Sequence, residues 1–215
     1  MTIAQETVSV SLTSNRAVDD DPHVTELIYC LTKAYLNRFH PLPTTETGSL
    51  IFLLGLGFEK LLLVNEKYHV RGTFEGVMYE NDFVHIYNDI PGELKSTRLS
   101  ANKNPDQLPI GWRRQILAYM KTLGVNEYIL VVLHLMGKYN PPFPILKAYR
   151  LYASQAEIDE EWDYLQFRKE EYIPFLTNKE IPTPFAYNED WECEHCPYLL
   201  TFCKSIDGEK QYAKA

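Results

Sequence analysis

The sequence predicts a mixed α/β fold in which a central sheet is flanked by helices. Hydrophobic patterning along the chain gives the element order α-α-β-β-α-β-β-α, and this alternation is typical of sheets that are covered by helices. The chain has 215 residues, of which 45% are hydrophobic and 23% charged, so it is long and apolar enough to form one core. We therefore expect a flexible tail over residues 1–21 and a single domain over residues 22–215.

The first half of the chain predicts two helices and a hairpin. Apolar residues recur at helical spacing in two runs, and proline and threonine residues interrupt the chain between them. Two alternating segments follow, with turn residues at Asn81–Asp82 between them. The expected elements are helices over residues 24–37 and 48–65 and strands over residues 69–79 and 83–94.

The second half predicts a helix, two strands and a final helix. A polar loop precedes the third helix, and Gly124 ends it because glycine readily adopts the left-handed conformation that often follows a helix. Proline residues mark a turn between the two strands. The expected elements are helices over residues 112–123 and 155–176 and strands over residues 127–136 and around 145–153.

The sequence also bears on location. It contains no apolar run near the ~20 residues that a membrane-spanning helix requires. Its first 21 residues lack the basic start and apolar core of a secretory signal. We expect a cytoplasmic protein without a membrane partner.

Charge is distributed unevenly along the chain, whose formal net charge is −8. Residues 155–192 contain 11 acidic and 3 basic side chains, whereas residues 95–121 contain 6 basic side chains and a single acidic one. The total charge alone argues against nucleic acid as a partner. Because salt screens charges over ~8 Å, the basic stretch still predicts either a local track for phosphate groups or an ordinary solvated helix face.

Four cysteines form a three-plus-one pattern. Cys193, Cys196 and Cys203 lie in a C-x2-C-x6-C run near the end of the chain, and Cys30 lies on the first predicted helix. This division is familiar for iron–sulfur clusters, whereas structural zinc more often uses two short cysteine pairs. We prefer an iron–sulfur cluster over zinc, and both over unrelated thiols or disulfides.

The second predicted strand ends on Glu93-Leu-Lys95, and residues two apart on a strand point to the same face. A carboxylate there suits Mg²⁺ or Mn²⁺, while the neighbouring ammonium can steady a phosphate or an attacking water. Such a site needs a second carboxylate. We expect Glu75, on the preceding strand, to meet Glu93 at one metal. Asp82 and Asp89 are its competitors, although Asp82 falls in the predicted turn.

Two helices carry further candidates. Gln115 and Tyr119 are four residues apart, which places both on one face of the third helix, beside Arg113 and Arg114. Glu59, in the sequence Gly-Leu-Gly-Phe-Glu of the second helix, is a candidate third acidic ligand. Each of these motifs also occurs in ordinary packed helices. The six histidines show no ligand spacing, so we expect none of them at a metal.

Taken in order, these residues resemble the motifs of the RecB branch of the PD-(D/E)XK nucleases, and most closely those of the CRISPR-associated iron–sulfur exonucleases and their viral and phage relatives. The resemblance runs from about residue 24 to residue 203. The family pattern is a cysteine on an N-terminal helix, a G-x-x-x-[H/E] helix, an acidic residue at a strand end, E-x-K, Q-x-x-x-Y and three C-terminal cysteines. The matching positions are Cys30, Glu59, Glu75, Glu93, Lys95, Gln115, Tyr119, Cys193, Cys196 and Cys203. The family usually has histidine at position 59 and aspartate at position 75, so this sequence departs from the pattern at both.

The resemblance implies a restriction-endonuclease-like fold and an Mg²⁺- or Mn²⁺-dependent exonuclease that hydrolyses single-stranded DNA. Glu75 and Glu93, with Glu59, would hold the divalent cations, and Lys95 would position the attacking water. The residues implied to hold the DNA strand are Gln115, Tyr119, Arg113 and Arg114.

The resemblance also implies an iron–sulfur staple, with four irons rather than two, between the N-terminal helix and the C-terminal tail. The subdomain that holds it would comprise residues of about 22–47 and 177–205. Implied partners are CRISPR adaptation proteins in antiviral defence, or viral DNA in a host cytoplasm, and a further copy of the chain.

Two other hypotheses stay open on the sequence. The departures at positions 59 and 75 leave open a nuclease-like module that binds DNA, in CRISPR adaptation or viral DNA processing, but cuts it weakly or not at all. A zinc-stapled scaffold without a nucleic-acid function is the third hypothesis. Binding of divalent metal distinguishes the active nuclease from the module that only binds DNA. The identity of the metal held by the cysteines tests the zinc-stapled scaffold.

Overall fold

The computed structural model describes residues 21–43, 46–62, 70–84, 89–183, 191–194 and 196–203. The predicted tail therefore lies outside the described residues except for its last member. The helices are α1 (Val24–Ile28), α2 (Leu31–Phe39), α3 (Glu46–Leu62), α4 (Ile110–Leu123), α5 (Gln155–Asn178) and α6 (Trp191–Glu194), with single turns at Pro105–Gln107 and Leu199–Cys203. The strands are β1 (Val70–Phe74), β2 (Val77–Asn81), β3 (Phe83–Val84), β4 (Pro91–Thr97), β5 (Glu127–His134) and β6 (Ile145–Tyr152).

The central sheet is mixed and has the strand order β3-β4-β5-β6. Its middle pair, β4 and β5, is parallel, and both outer pairs are antiparallel. Strands β1 and β2 form a separate antiparallel hairpin. Helix α4 packs on one face of the sheet and α3 contacts β4, where Gly55 lies beside the Ser96 hydroxyl. The predicted mixed sheet with flanking helices is thus confirmed.

The parallel pair depends on α4, because parallel neighbours need a crossover connection rather than a tight turn. Apolar residues of α4 pack beneath the sheet and against α1 and α5. Gly124 ends α4 with φ = 67°, as the sequence predicts, and its amide donates to the Met120 and Lys121 carbonyls. In the described part of the chain, none of the helices has the length and apolarity that crossing a bilayer requires.

The sequence prediction of a hairpin turn at Asn81–Asp82 is wrong. The structure turns at Glu75–Gly76, where both residues have positive φ (47° and 71°), and pairs β1 with β2. A two-residue loop with positive φ at both positions matches the twist of antiparallel strands, and glycine takes one of those positions without strain. Asn81–Asp82 instead leads directly into β3, so the predicted strand over residues 83–94 divides into β3 and β4.

The first predicted helix also divides. It breaks at Tyr29 and Cys30, both of which have extended backbone, and Cys30 is the residue directly before α2. The buried guanidinium of Arg168, on α5, donates hydrogen bonds to the carbonyls of Leu27 and Tyr29. At the break these carbonyls have no amide donor from the following helical turn. The Arg168 guanidinium supplies the hydrogen bonds in place of those amides.

We predict that Arg168→Met lowers the free energy of unfolding by about 3 kcal/mol, because it leaves two buried carbonyls without their charged donor. Urea unfolding would measure the change as a lower midpoint at unchanged slope. Lys169→Met removes a neighbouring charge whose hydrogen bond is exposed, and should cost under about 1 kcal/mol. Equal midpoints for the two variants would contradict this role of Arg168.

Candidate active site

Glu93 and Lys95 lie side by side on β4, on the face that packs against α4. The β4–β5 register places them opposite Leu130 and Val132, which belong to the core. Glu93 is 3% exposed, and the Lys95 ammonium donates to its Oε1 at 2.6 Å. The sequence expectation that the two side chains share a face is therefore met.

Helix α4 completes a chain of buried hydrogen bonds around this pair. The Gln115 side chain donates from Nε2 to Glu93 Oε1 at 2.8 Å and accepts from Lys95 Nζ at 2.9 Å. The same Nε2 donates to the Tyr119 hydroxyl oxygen at 3.0 Å. Gln115 and Tyr119 are both buried, so they lie inside the protein rather than on a surface open to a DNA strand.

A cavity of about 310 Å³ opens beside this network. Three carboxylate residues line it together with Lys95: Glu93 from β4, Glu59 from α3 and Asp82 from the link between β2 and β3. Asp82 is fixed to the site strand, because its Oδ2 accepts from the Leu94 amide at 2.7 Å. Two of the predicted acidic positions, 59 and 93, therefore meet here, and Asp82 joins them.

The Glu93 carboxyl group has an unusually high pKa. Burial raises its pKa to about 7, and the Asp82 carboxylate adds to the rise, while the Lys95 ammonium acts against it. Its Oε1 has two donors, but its buried Oε2 has no hydrogen-bond partner among the described residues. A divalent cation beside Oε2 would satisfy both the empty acceptor and the excess negative charge.

The oxygen-rich donor set fits Mg²⁺ or Mn²⁺ in kind, since both prefer carboxylates and water. Within the described ranges, no three side chains of the His, Cys, Asp or Glu type lie close enough together to enclose a metal ion as they stand. Cation binding at this cavity would therefore require rotation of the partly exposed Glu59 or Asp82 side chain.

Glu75 lies away from this cavity, in the β1–β2 turn. Its carboxylate accepts a hydrogen bond from the Trp162 indole at 2.8 Å, and its carbonyl accepts from Lys169. It is seven positions before Asp82 in mostly extended chain, which corresponds to about 20 Å. The expected meeting of Glu75 and Glu93 does not occur, because the hairpin turn lies at Glu75 itself. Gly76, which can adopt positive φ without strain, is the turn signal in the sequence that marks this position.

The basic residues of α4 face the acidic helix α5. Arg113 pairs with Glu157 at 3.1 Å, and Lys121 pairs with Asp159 at 2.7 Å. Arg114 stacks on the Tyr164 ring, 4.3 Å from its centroid, and lies 3.9 Å from Glu161. The predicted phosphate track is therefore neutralised along α4. Of the predicted strand-holding residues, Arg114 is largely covered by α5, whereas Arg113 pairs with α5 at the surface and keeps 69% of its side chain exposed.

The cysteines lie near one another at the α1–α2 break. Burial raises the pKa of the Cys193 thiol to about 11, and Cys30, Cys196 and Cys203 add to the rise because each is close enough to repel its thiolate. Burial also raises the pKa of Cys30, and none of the four forms a disulfide. A cationic cluster core would relieve this mutual repulsion, so the donor set fits a thiolate-bound group in kind. His195, between two of these cysteines, lies outside the described residues.

No family model and no curated protein matches this sequence. Among solved structures, the crystal structure of SSO0001 is similar, with a TM-score of 0.49 and 16% identity over 87% of this chain and 88% of that one. A phage-related exonuclease from Haemophilus somnus 129PT has a TM-score of 0.47 and 9% identity over 74% of this chain and 96% of its own. Similarities as distant as these assign no function to this chain.

We predict that the metal-free protein loses stability between pH 4.5 and about 7 because of Glu93. In this window the folded state keeps a proton that the unfolded state has released, so stability falls as pH rises, by about 3 kcal/mol from this group. Urea midpoints measured against pH in a chelator would show the fall. Glu93→Gln should flatten it, whereas Glu157→Gln, an exposed control on α5, should not. An unchanged slope in Glu93→Gln would contradict the raised pKa.

Proposed function

We propose that this protein is a divalent-metal-dependent deoxyribonuclease, and specifically an exonuclease on single-stranded DNA. One observation carries the proposal. A buried carboxylate with an unpartnered oxygen, Glu93, is paired with Lys95 at the wall of a cavity that two further carboxylates line. Carboxylates that hold a cation beside a positioned ammonium are suited to phosphodiester hydrolysis. The family resemblance of the sequence supplies the preference for single strands.

In this proposal Glu93 and Asp82 hold the cation, and Glu59 adds a third oxygen ligand from α3. A bound Mg²⁺ or Mn²⁺ would supply Lewis acidity toward the scissile phosphate and lower the pKa of a bound water. Lys95 orients the attacking water and offsets charge on the phosphate. Its ammonium is fixed by two acceptors, Glu93 and Gln115, so it has one donor hydrogen left for the substrate.

Gln115 and Tyr119 act as positioning residues. The amide of Gln115 bridges Lys95 and Glu93, and the Tyr119 hydroxyl fixes the direction in which that amide points. Burial raises the pKa of Tyr119 well above its usual value, so its hydroxyl stays neutral at the pH of the reaction. The two α4 residues thereby preorganise the β4 residues, which limits the rearrangement needed when substrate enters.

We further propose that Cys30, Cys193, Cys196 and Cys203 hold an iron–sulfur cluster, of the four-iron type, that staples the C-terminal segment to the α1–α2 break. The cluster's part in this proposal is structural. Its support is that Cys30, Cys196 and Cys203 are near enough to raise the pKa of the Cys193 thiol and that none of the four is in a disulfide. Among the described residues no three of these thiols enclose a metal site as they stand, so the cluster would draw them closer together. Zinc remains the competing metal for the same donors.

We predict that Asp82, which lines the cavity, and not Glu75, which matches the family pattern, is the second carboxylate required for activity. Asp82→Asn and Glu93→Gln should each lower Mn²⁺-dependent degradation of labelled single-stranded DNA at least about 100-fold. Glu75→Gln should retain near-normal activity, because its partner is Trp162 and it lies far from the cavity. Strands labelled at either end would also report the polarity of digestion.

The reverse result, with Glu75 required and Asp82 dispensable, would disprove the proposed ligand set. If the unmodified protein cuts no DNA, calorimetry with Mn²⁺ decides what remains. Binding that depends on Asp82 and Glu93 would leave a metal site without this reaction. An absence of Mn²⁺ binding would favour the alternative of a module that binds DNA without cutting it.

We predict that anaerobically purified protein contains iron and acid-labile sulfide, and that Cys30→Ser, Cys193→Ser or Cys203→Ser each removes most of both. All three thiols are expected ligands, and a cluster rarely persists after the loss of one. Elemental analysis and sulfide release would measure the outcome. Stoichiometric zinc without iron would overturn the cluster assignment.

A further inference from the structure

Two loops join at the end of the sheet where β4 finishes. The first follows β4 and the second follows β5, and the Ala101 amide donates to the Gly137 carbonyl at 2.8 Å. The Tyr139 hydroxyl donates to the Arg98 carbonyl at 3.1 Å. The Leu135 amide also donates to the Thr97 carbonyl at 2.8 Å. Three cross-links of this kind make the two loops one surface.

This surface presents aromatic rings to solvent. Tyr139 is 59% exposed and Phe143 is 51% exposed, although aromatic side chains are usually well covered. Tyr139 has φ = 65°, a conformation that residues with a side chain rarely adopt, and its hydroxyl bond to the first loop holds it there. The Tyr139 ring is therefore held by the backbone of the first loop rather than by burial.

The same surface is cationic. Arg98, Lys103 and Lys138 are exposed, and none of the three has an ion-pair partner among the described residues. Asp106 is the single acidic residue in the two loops. The cations of α4, by contrast, are paired with α5. The available positive charge of the 95–121 stretch therefore lies beyond Lys95, in the loop.

We propose that these five residues, Arg98, Lys103, Lys138, Tyr139 and Phe143, form the surface on which single-stranded DNA binds. We call it the two-loop surface. Exposed rings offer stacking platforms that accept any unpaired base, and unpaired cations beside them neutralise the phosphates. A duplex hides its base faces, so the same chemistry selects single strands.

The position of the surface relates it to the cavity. Arg98 follows Lys95 by three residues, which is about 10 Å along the strand. A strand lying across the two loops would thus lead toward Lys95 and Glu93. This inference rests on the proposed function for its ligand. It replaces Gln115, Tyr119, Arg113 and Arg114 as the residues that touch DNA, because Gln115 and Tyr119 are buried and the charges of both arginines are already offset by acidic residues of α5.

The test is binding of a fluorescent oligodeoxythymidine, measured by anisotropy in the Glu93→Gln background so that the probe is not degraded. Phe143→Ala should weaken binding about fivefold to hundredfold, the effect of losing one stacked base. Lys103→Glu and Lys138→Glu should also weaken it. Log affinity falls with log salt, and each variant should make this fall shallower, reducing the magnitude of the slope by about 0.7 or more.

Matched controls lie elsewhere on the protein. Phe167, on α5, is 57% exposed, so Phe167→Ala removes a comparable ring. Arg71→Glu reverses an exposed charge on β1. Both should leave affinity and salt slope unchanged. If Phe143→Ala unfolds the protein, Phe143→Leu removes the ring but keeps apolar volume.

Loop variants that bind like the controls would overturn the proposal. So would a DNA duplex that competes as well as the single strand, or loop variants that change only self-association in sedimentation. These results are distinguishable from failure of the proposed function. Normal cleavage with loop-independent binding refutes the surface alone, whereas loop-dependent binding without any cleavage supports the surface and refutes the nuclease.

Discussion

The arrangement of the candidate site depends on one shared hydrogen-bond acceptor, Oε1 of Glu93. It receives both Lys95 and Gln115, so one oxygen joins a strand to a helix and leaves the second oxygen unpartnered. Removing a carboxylate from water is costly, and the single ammonium beside it does not fully offset that cost, which is why its pKa remains high. The fold keeps a carboxylate that it stabilises incompletely, as expected where a ligand completes the charge balance.

Register in the parallel pair maintains this arrangement. Glu93 and Lys95 face α4 because they oppose Leu130 and Val132, and a shift of one residue would turn both toward the other face of the sheet. On the other side of β4, Gly92 leaves room for β3, since a Cβ at this position would lie 2.1 Å from the Phe83 ring. The small strand β3 is therefore able to close over β4 directly before the site residues.

The sequence predicted elements and motifs better than it predicted which motifs meet. The E-x-K pair, the Gln115–Tyr119 spacing and the end of α4 follow from periods of two and 3.6 residues, which are local properties. The position of Glu75 was not predictable from strand alternation alone, because moving the hairpin turn from position 81 to position 75 changes which acidic residue reaches β4. Asp82 satisfies a backbone amide of β4, and such contacts between distant elements leave no periodic signal.

The charge pattern shows the same limit, which is that a sequence does not reveal which distant residues pair. The basic stretch and the acidic stretch were visible in the sequence, but only packing shows that α4 and α5 neutralise each other. Within residues 95–121, pairing of this kind leaves Arg98 and Lys103, the cations without an ion-pair partner in the described part of the chain, in the loop after β4. A protein with a net charge of −8 can thus present a cationic surface beside a carboxylate cavity, because screening at physiological salt limits each field to about 8 Å.

The α1–α2 break shows how the fold prepares a position for Cys30 with protein groups alone. On one side, the carbonyls at the end of α1 accept from the Arg168 guanidinium; on the other, the Cys30 amide at the start of α2 donates to the Glu192 carboxylate at 3.0 Å. Each charge matches the partial charge of the helix end that it meets. Glu192 directly precedes Cys193, so this bond already brings the C-terminal cysteines to Cys30. A bound cluster would therefore strengthen a closure that the polypeptide makes itself, and its binding energy need not be spent on bringing the ends of the chain together.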